Sequence, residues 1–161
     1  MRVLILGGDG YLGWPTAMHL SALGHEVMVV DNYFRRRACT SLNCEPLVPV
    51  PNLHQRVELW RAVSGRRVEV AVGDICDYPF LSRVFREFAP QGVVHYAEQP
   101  SAPYSMRDRE SAVFTLTNNL VSTLNLIHAV AEFQPDCHLV KLGTMGVYGT
   151  PNIDIEEGYL E

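Results

Sequence analysis

The sequence predicts an α/β fold built on a doubly wound parallel sheet. Three observations carry that expectation: short apolar runs alternate with helical stretches, a glycine-rich turn follows the first run, and an acidic residue closes the second. The first strand is Val3 to Leu6, an unbroken apolar run of the kind a strand covered on both faces requires. Tyr11 to Leu23 reads as a helix, with Leu12, Thr16, Leu20 and Leu23 at helical spacing and Gly24 marking its end. Glu26 to Asp31 is the second strand and completes a β-α-β unit. Asn32 to Leu53 then breaks the alternation with prolines at 46, 49 and 51 and the run Arg35-Arg36-Arg37, and reads as a long ordered excursion at the ligand edge of the sheet. The third strand is Val68 to Val72 and the fourth Val93 to Tyr96, with an amphipathic helix from Tyr78 to Phe88 between them that stops near Pro90. A long helical stretch from about Asp108 to Phe133 precedes the fifth run, His138 to Leu142. Its stripe Val113, Leu116, Leu120, Leu124 and Ile127 is expected to face the core.

The 161 residues suit one domain, able to bury about 70% of its unfolded surface. With 13 Lys plus Arg against 18 Asp plus Glu the net charge is -5, which gives no footprint for nucleic acid or an anionic membrane. No apolar run approaches the roughly 18 residues of a membrane span, and the start of the chain has no signal-peptide pattern, so a cytoplasmic setting is expected. Cys39, Cys44, Cys76 and Cys137 lack C-x-x-C spacing and read as free thiols; with six scattered histidines they predict no metal site.

The chemistry-bearing residues gather after the strands. Gly7, Gly10 and Gly13 form G-x-x-G-x-x-G directly after the first strand and open the helix. Glycine there permits the tight turn, the approach of backbone to a pyrophosphate, and close helix-to-strand packing, while the helix N-terminus supplies N–H groups and positive dipole. Asp31 stands where its carboxylate accepts from both ribose hydroxyls and repels a 2'-phosphate, which favours NAD over NADP. The rival consideration is the run Arg35 to Arg37, any of which could pair with a phosphate or be solvated, with Arg35 and Arg36 candidates for the adenine face of the cofactor; Asp74 with Ile75 are candidates for the adenine amino group and ring, and for Asp74 the alternative is a solvated residue ahead of a helix capped by Asp77. Ala97 and Glu98 follow the fourth strand where backbone passes the middle of the cofactor, and Thr144 follows the fifth, its hydroxyl placed for a reacting carbinol. Of Asn118 and Asn119, unfavourable mid-helix, one is expected to bond the active-site loop while the other is solvated.

Gly7-Gly8-Asp9-Gly10-Tyr11 with Gly13-Trp14, Val30-Asp31-Asn32, Val72-Gly73-Asp74-Ile75-Cys76-Asp77, Ser101 through Met106, and Leu139 through Gly158 together resemble the extended short-chain dehydrogenase/reductase family, the sugar-nucleotide epimerases and dehydratases. The last two stretches are similar to its sulfosugar-forming members. The resemblance implies a Rossmann-type sheet truncated after about the fifth strand, with residues 1–161 as the NAD-binding domain and the substrate lobe lying elsewhere. It implies NAD as cofactor and a nucleotide sugar, UDP-glucose, as substrate with sulfite as second reactant. Tyr11, Leu12, Asn32 and Asn118 join the cofactor set, and Gln99, Ser101, Tyr104, Met145 and Tyr148 the substrate set, with Thr144 catalytic. Two positions depart from those members, which carry arginine where Pro100 stands and glutamate where Val147 stands.

The family's base is a tyrosine followed four residues later by a lysine. This chain has one lysine, Lys141, and Cys137 stands four residues before it, so the pair is expected beyond residue 161 and the 161 residues alone are expected to be inactive. Three readings follow: part of such an enzyme, a non-catalytic NAD-binding or regulatory module, or another nucleotide-sugar epimerase or dehydratase.

Overall fold

A computed structural model describes residues 1–144. Its elements in chain order are β1 (Arg2–Leu6), α1 (Gly13–Ala22), β2 (Glu26–Asp31), α2 (Phe34–Ser41), α3 (Leu53–Ser64), β3 (Val68–Val72), α4 (Tyr78–Phe88), β4 (Gly92–His95), α5 (Ala102–Ser105), α6 (Arg109–Phe133) and β5 (His138–Lys141). The strands pair in parallel in the order β3-β2-β1-β4-β5, so the sheet grows outward in both directions from β1. The reversal of direction between β1 and β4 opens a crevice at their C-terminal ends, the place where open α/β sheets hold ligands. Register aligns those ends: Leu6 sits opposite Val30 on one side and His95 on the other. The doubly wound fold expected from the sequence is therefore observed.

Alternation along β1 sorts its side chains between two cores. Val3 and Ile5 join Val27, Val29, Ala17 and Leu53 beneath α1 and α3, while Leu4 and Leu6 join Phe80, Leu81, Phe85 and Leu126 beneath α4 and α6. Full burial of Leu4, Ile5 and Leu6 is what an uninterrupted apolar strand implies.

Three expectations change. The face of α1 that meets the sheet is Gly13, Ala17 and Ser21, a row of small residues, whereas Leu12 and Leu23 are exposed. Small side chains let the helix axis approach the strands, so the packing face is selected by size rather than hydrophobicity. In α6 the expected core stripe points outward: Leu116 is 71% and Leu120 75% exposed, and Val113, Leu124 and Ile127 are also exposed. Its inward face carries Ser111, Ser122, Leu126 and Ala129, and near the crevice that face is polar because it serves hydrogen bonds to a loop. The excursion from Asn32 to Leu53 contains helix α2, and α3, not foreseen from the sequence, follows it before β3. A full capping box starts α3, with Asn52 Oδ1 accepting from the Gln55 N–H and Gln55 Oε1 accepting from the Asn52 N–H, and Gly65 at φ +70° ends it.

Candidate functional site

The turn after β1 is drawn tight by the N–H groups of Gly7 and Gly8, which both donate to the Val30 carbonyl at 2.8 and 3.0 Å. Gly7 has φ +90°, and a Cβ there would lie 2.8 Å from the Tyr96 carbonyl carbon. At Gly13 a Cβ would stand 2.0 Å from the Gly7 carbonyl oxygen, a distance no rotamer change relieves. These two positions exclude every side chain, one through conformation and contact, the other through contact alone. No side chain caps the start of α1; Trp14 N–H donates to the Gly10 carbonyl at 3.4 Å and Pro15 has no N–H, so the donors left for an anion there are the N–H groups of Leu12 and Gly13, both of which line the crevice.

The crevice measures about 990 Å³. Gly7, Gly10, Tyr11, Leu12 and Gly13 form its floor, Asp31, Asn32 and Arg35 one end, and Asp74 and Ile75 the wall beside them. Ala97, Glu98, Gln99, Ser101 and Tyr104 come from the segment after β4, Asn118 from α6, and Thr144 from beyond β5. Met145 and Tyr148, expected at the substrate, lie outside the described residues, as does Val147.

Asp31 is held by two backbone donors, the Asp9 N–H to Oδ2 at 2.8 Å and the Tyr33 N–H to Oδ1 at 2.7 Å. Burial raises its carboxyl above the ordinary carboxylate value, and those two bonds act against the rise. Each oxygen retains a lone pair, so a vicinal diol fits it. Asn32 ties this end together by donating to Asp74 Oδ2 at 3.0 Å, while Asp74 Oδ1 accepts from the Cys76 N–H at 2.8 Å. Asp74 is exposed with both of its oxygens bonded, and Asp77 stands at the N-cap of α4 without a side-chain cap bond. The Cys76 thiol is pushed up to about 11 by burial, with the Asp74 charge adding to the effect, which leaves it protonated and unreactive.

Two expected ligand contacts have other work. Arg36 does not line the crevice; its guanidinium grips Asp9 with Nε to Oδ2 at 2.6 Å and Nη2 to Oδ1 at 2.7 Å. Gln99 is 7% exposed, with its amide donating to the Ser101 carbonyl and Thr115 Oγ1 while Oε1 accepts from the Ser101 N–H. Its side chain therefore fixes the loop instead of reaching outward. The opposite bonds come from Asn119, whose Oδ1 accepts from the Gln99 N–H at 2.9 Å and whose Nδ2 donates to the Gln99 carbonyl at 3.1 Å. Asn119 is the asparagine that bonds the loop, and Asn118 lies half-buried beside it, donating to Asn119 Oδ1.

Sequence reasoning missed Asp9, Phe34 and His95. Phe34 stacks on Phe114 with centroids 4.2 Å apart and meets the edge of Tyr104, which links α2 to α5 and α6. Nothing local announces such a long-range contact. His95 ends β4 in full burial, and burial lowers its pKa to about 4. Across the crevice mouth Lys141 donates to Glu98, so the strand leading to Thr144 is tied to the segment after β4.

The model of the NAD dependent epimerase/dehydratase family matches residues 3–160. The chain belongs to this family. Among similar family proteins is the UDP-sulfoquinovose synthase of Spinacia oleracea chloroplasts, 51% identical over 99% of this chain and 33% of the relative. The UDP-sulfoquinovose synthase of Sulfolobus acidocaldarius is 46% identical over 100% of this chain and 41% of that protein. A solved UDP-glucose 4-epimerase from Bifidobacterium longum, in complex with NAD+ and UDP, superposes with a TM-score of 0.72 at 27% identity, covering 95% of this chain and 40% of the other. The chain thus spans a third to two fifths of the length of these family proteins. Among the described residues, no helix is long and apolar enough to cross a membrane.

Proposed function

We propose that residues 1–161 form the NAD-binding domain of a nucleotide-sugar enzyme of UDP-sulfoquinovose synthase type, converting UDP-glucose and sulfite to UDP-sulfoquinovose and water. The observation that carries this reading is the 51% and 46% identity to two such synthases along essentially the whole chain, joined to a crevice whose chemistry fits a dinucleotide. The fit rests on the Leu12 and Gly13 N–H groups at the start of α1, on the clearance that Gly7 and Gly13 create, and on the diol-accepting carboxylate of Asp31.

Bound NAD would supply a hydride acceptor that is regenerated in each turnover. Around it, the sugar is oxidised at carbon 4, loses water across carbons 5 and 6, gains sulfite at carbon 6, and is reduced again at carbon 4. Asp31 would orient the adenosine ribose, Asp74 and Ile75 would receive the adenine, and Gly10 to Gly13 would hold the pyrophosphate, with Tyr11, Leu12, Asn32, Arg35, Ala97, Glu98 and Asn118 completing the walls. Thr144 would hydrogen-bond the reacting hydroxyl, and Ser101, Tyr104, Met145 and Tyr148 would meet the sugar nucleotide. The proton at the carbon 4 hydroxyl requires a Tyr/Lys pair, which these residues do not contain. We further infer a cytoplasmic setting and a homodimer formed through the exposed leucine face of α6.

The test is to supply UDP-glucose, NAD and sulfite to the polypeptide encoded by the whole reading frame and to follow products by mass spectrometry. UDP-sulfoquinovose is expected. UDP-galactose as the product would move the assignment to an epimerase, and NAD binding with no turnover would leave a non-catalytic module.

A further inference from the structure

Beside Asp31 the crevice is lined by a second carboxylate, Asp9, and behind it, outside the lining, stand two arginines, Arg36 and Arg56. Asp9 lies inside the glycine turn, lines the crevice, and donates its N–H to Asp31 Oδ2 at 2.8 Å, so the two carboxylates are neighbours at the end where an adenosine ribose would lie. The Asp9 side chain is 6% exposed. A carboxylate so buried requires compensation, and Arg36 provides it through paired bonds of 2.6 and 2.7 Å. Arg56 stands behind, with Nη2 3.6 Å from Asp9 Oδ1 and its guanidinium over the Trp14 ring. The remaining donors of Arg36 reach the Val50 carbonyl at 2.8 Å and the Pro51 carbonyl at 2.7 Å, and Arg56 Nε donates to Pro51 at 2.9 Å. Two arginines balance two aspartates, and four of the five Arg36 N–H donors are engaged.

Arginine beside the ribose is the group that would recognise a 2'-phosphate, because its planar fork matches phosphate oxygens. Here a carboxylate already occupies that fork. We propose that Asp9 is a specificity-determining residue, which by neutralising Arg36 makes the chain discriminate against dinucleotides bearing a phosphate on the adenosine ribose. This inference rests on the dinucleotide-binding reading above and adds a second device to the repulsion from Asp31: Asp9 removes the attraction that Arg36 would otherwise exert. The same clamp fastens residues 50 and 51 to the glycine turn, so the proline-rich excursion serves the selectivity of the crevice.

The test measures NAD and NADP binding by calorimetry to the 161-residue chain and to Asp9→Asn, Asp9→Asn/Arg36→Gln and Arg36→Gln variants, with circular dichroism as the check on folding. Wild type is expected to prefer NAD. In Asp9→Asn the ratio of NADP to NAD affinity should rise on the order of tenfold, and adding Arg36→Gln should remove most of that gain. Arg36→Gln alone should move the ratio several-fold the other way, since it leaves the Asp9 charge less compensated; this arm decides the matter where Asp9→Asn does not fold. An unchanged ratio in a folded Asp9→Asn chain, or the same gain with and without Arg36, overturns the proposal. Absence of NAD binding by wild type instead overturns the dinucleotide reading beneath it.

Discussion

His95 is a buried imidazole with its tautomer set by its neighbours. Nδ1 accepts from the Ala97 N–H at 3.3 Å, and Nε2 lies 3.4 Å from Thr123 Oγ1, whose own proton is directed to the Asn119 carbonyl at 2.8 Å. The arrangement accommodates the neutral ring with its proton on Nε2. Burial lowers the pKa to about 4, the Glu98 charge works against that, and the Lys141 charge works with it. Between about pH 6.5 and 4 the unfolded chain binds a proton that the folded chain does not, so stability falls as the pH falls through this window. The loss has an upper bound of about 3.5 kcal/mol, from ~1.4 kcal/mol for each pH unit. Urea midpoints measured at pH 7 and pH 4.5 should therefore differ more in wild type than in His95→Gln; an equal difference would show that the ring is not held neutral. His95 was invisible as a site residue in the sequence because its role depends on burial at a strand end. The places of Asp31, Asp74 and the glycines along the crevice were legible because they follow from sequence position after a strand. Arg36 was misassigned for a related reason: an arginine near a ligand edge reads the same whether it faces the ligand or a buried aspartate such as Asp9.

Among the elements, α3 shows how a helix is overlooked despite carrying signals. Asn52 and Gln55 make its capping box, Gly65 ends it, and Leu53, Val57 and Trp60 supply the inward face, but these signals went unread beyond the excursion ending at Leu53. Replacing Asn52 by alanine leaves N-terminal N–H groups without their side-chain acceptor and should cost about 1 kcal/mol, read as a lowered denaturation midpoint with an unchanged slope. A neutral effect would mean that the contact of the Leu53 N–H with the Tyr33 hydroxyl, at 3.2 Å, suffices to hold the helix start. Strands were read to within a residue because apolar runs reveal them directly. The faces of α1 and α6 were not, because hydrophobic spacing cannot distinguish a face packed by small residues, such as Gly13, Ala17 and Ser21, from one packed by leucines.

At the scale of the whole molecule, α6 determines what the chain offers to others. Its inward polar residues hold the segment after β4, and its outward leucines leave an apolar stripe of the kind that marks an interaction surface. Pairing of two copies through this stripe predicts a dimer in sedimentation equilibrium and a monomer for Leu116→Glu/Leu120→Glu. A monomeric wild type at tens of micromolar would remove the homodimer from the account. The parallel, doubly wound sheet was legible from the β-α alternation, whereas the outward direction of the α6 stripe was not, because its spacing reads as core.

The central claim is that the crevice above β1, β2 and β4 binds NAD with Asp31 on the adenosine ribose. Calorimetric titration of NAD into wild type and Asp31→Ala tests it most directly. Wild type should bind with one-to-one stoichiometry, and Asp31→Ala should bind at least tenfold more weakly through loss of two charge-assisted hydrogen bonds, on the order of 1.5 kcal/mol each. No heat of binding with wild type, or equal affinity for the two proteins, would contradict it.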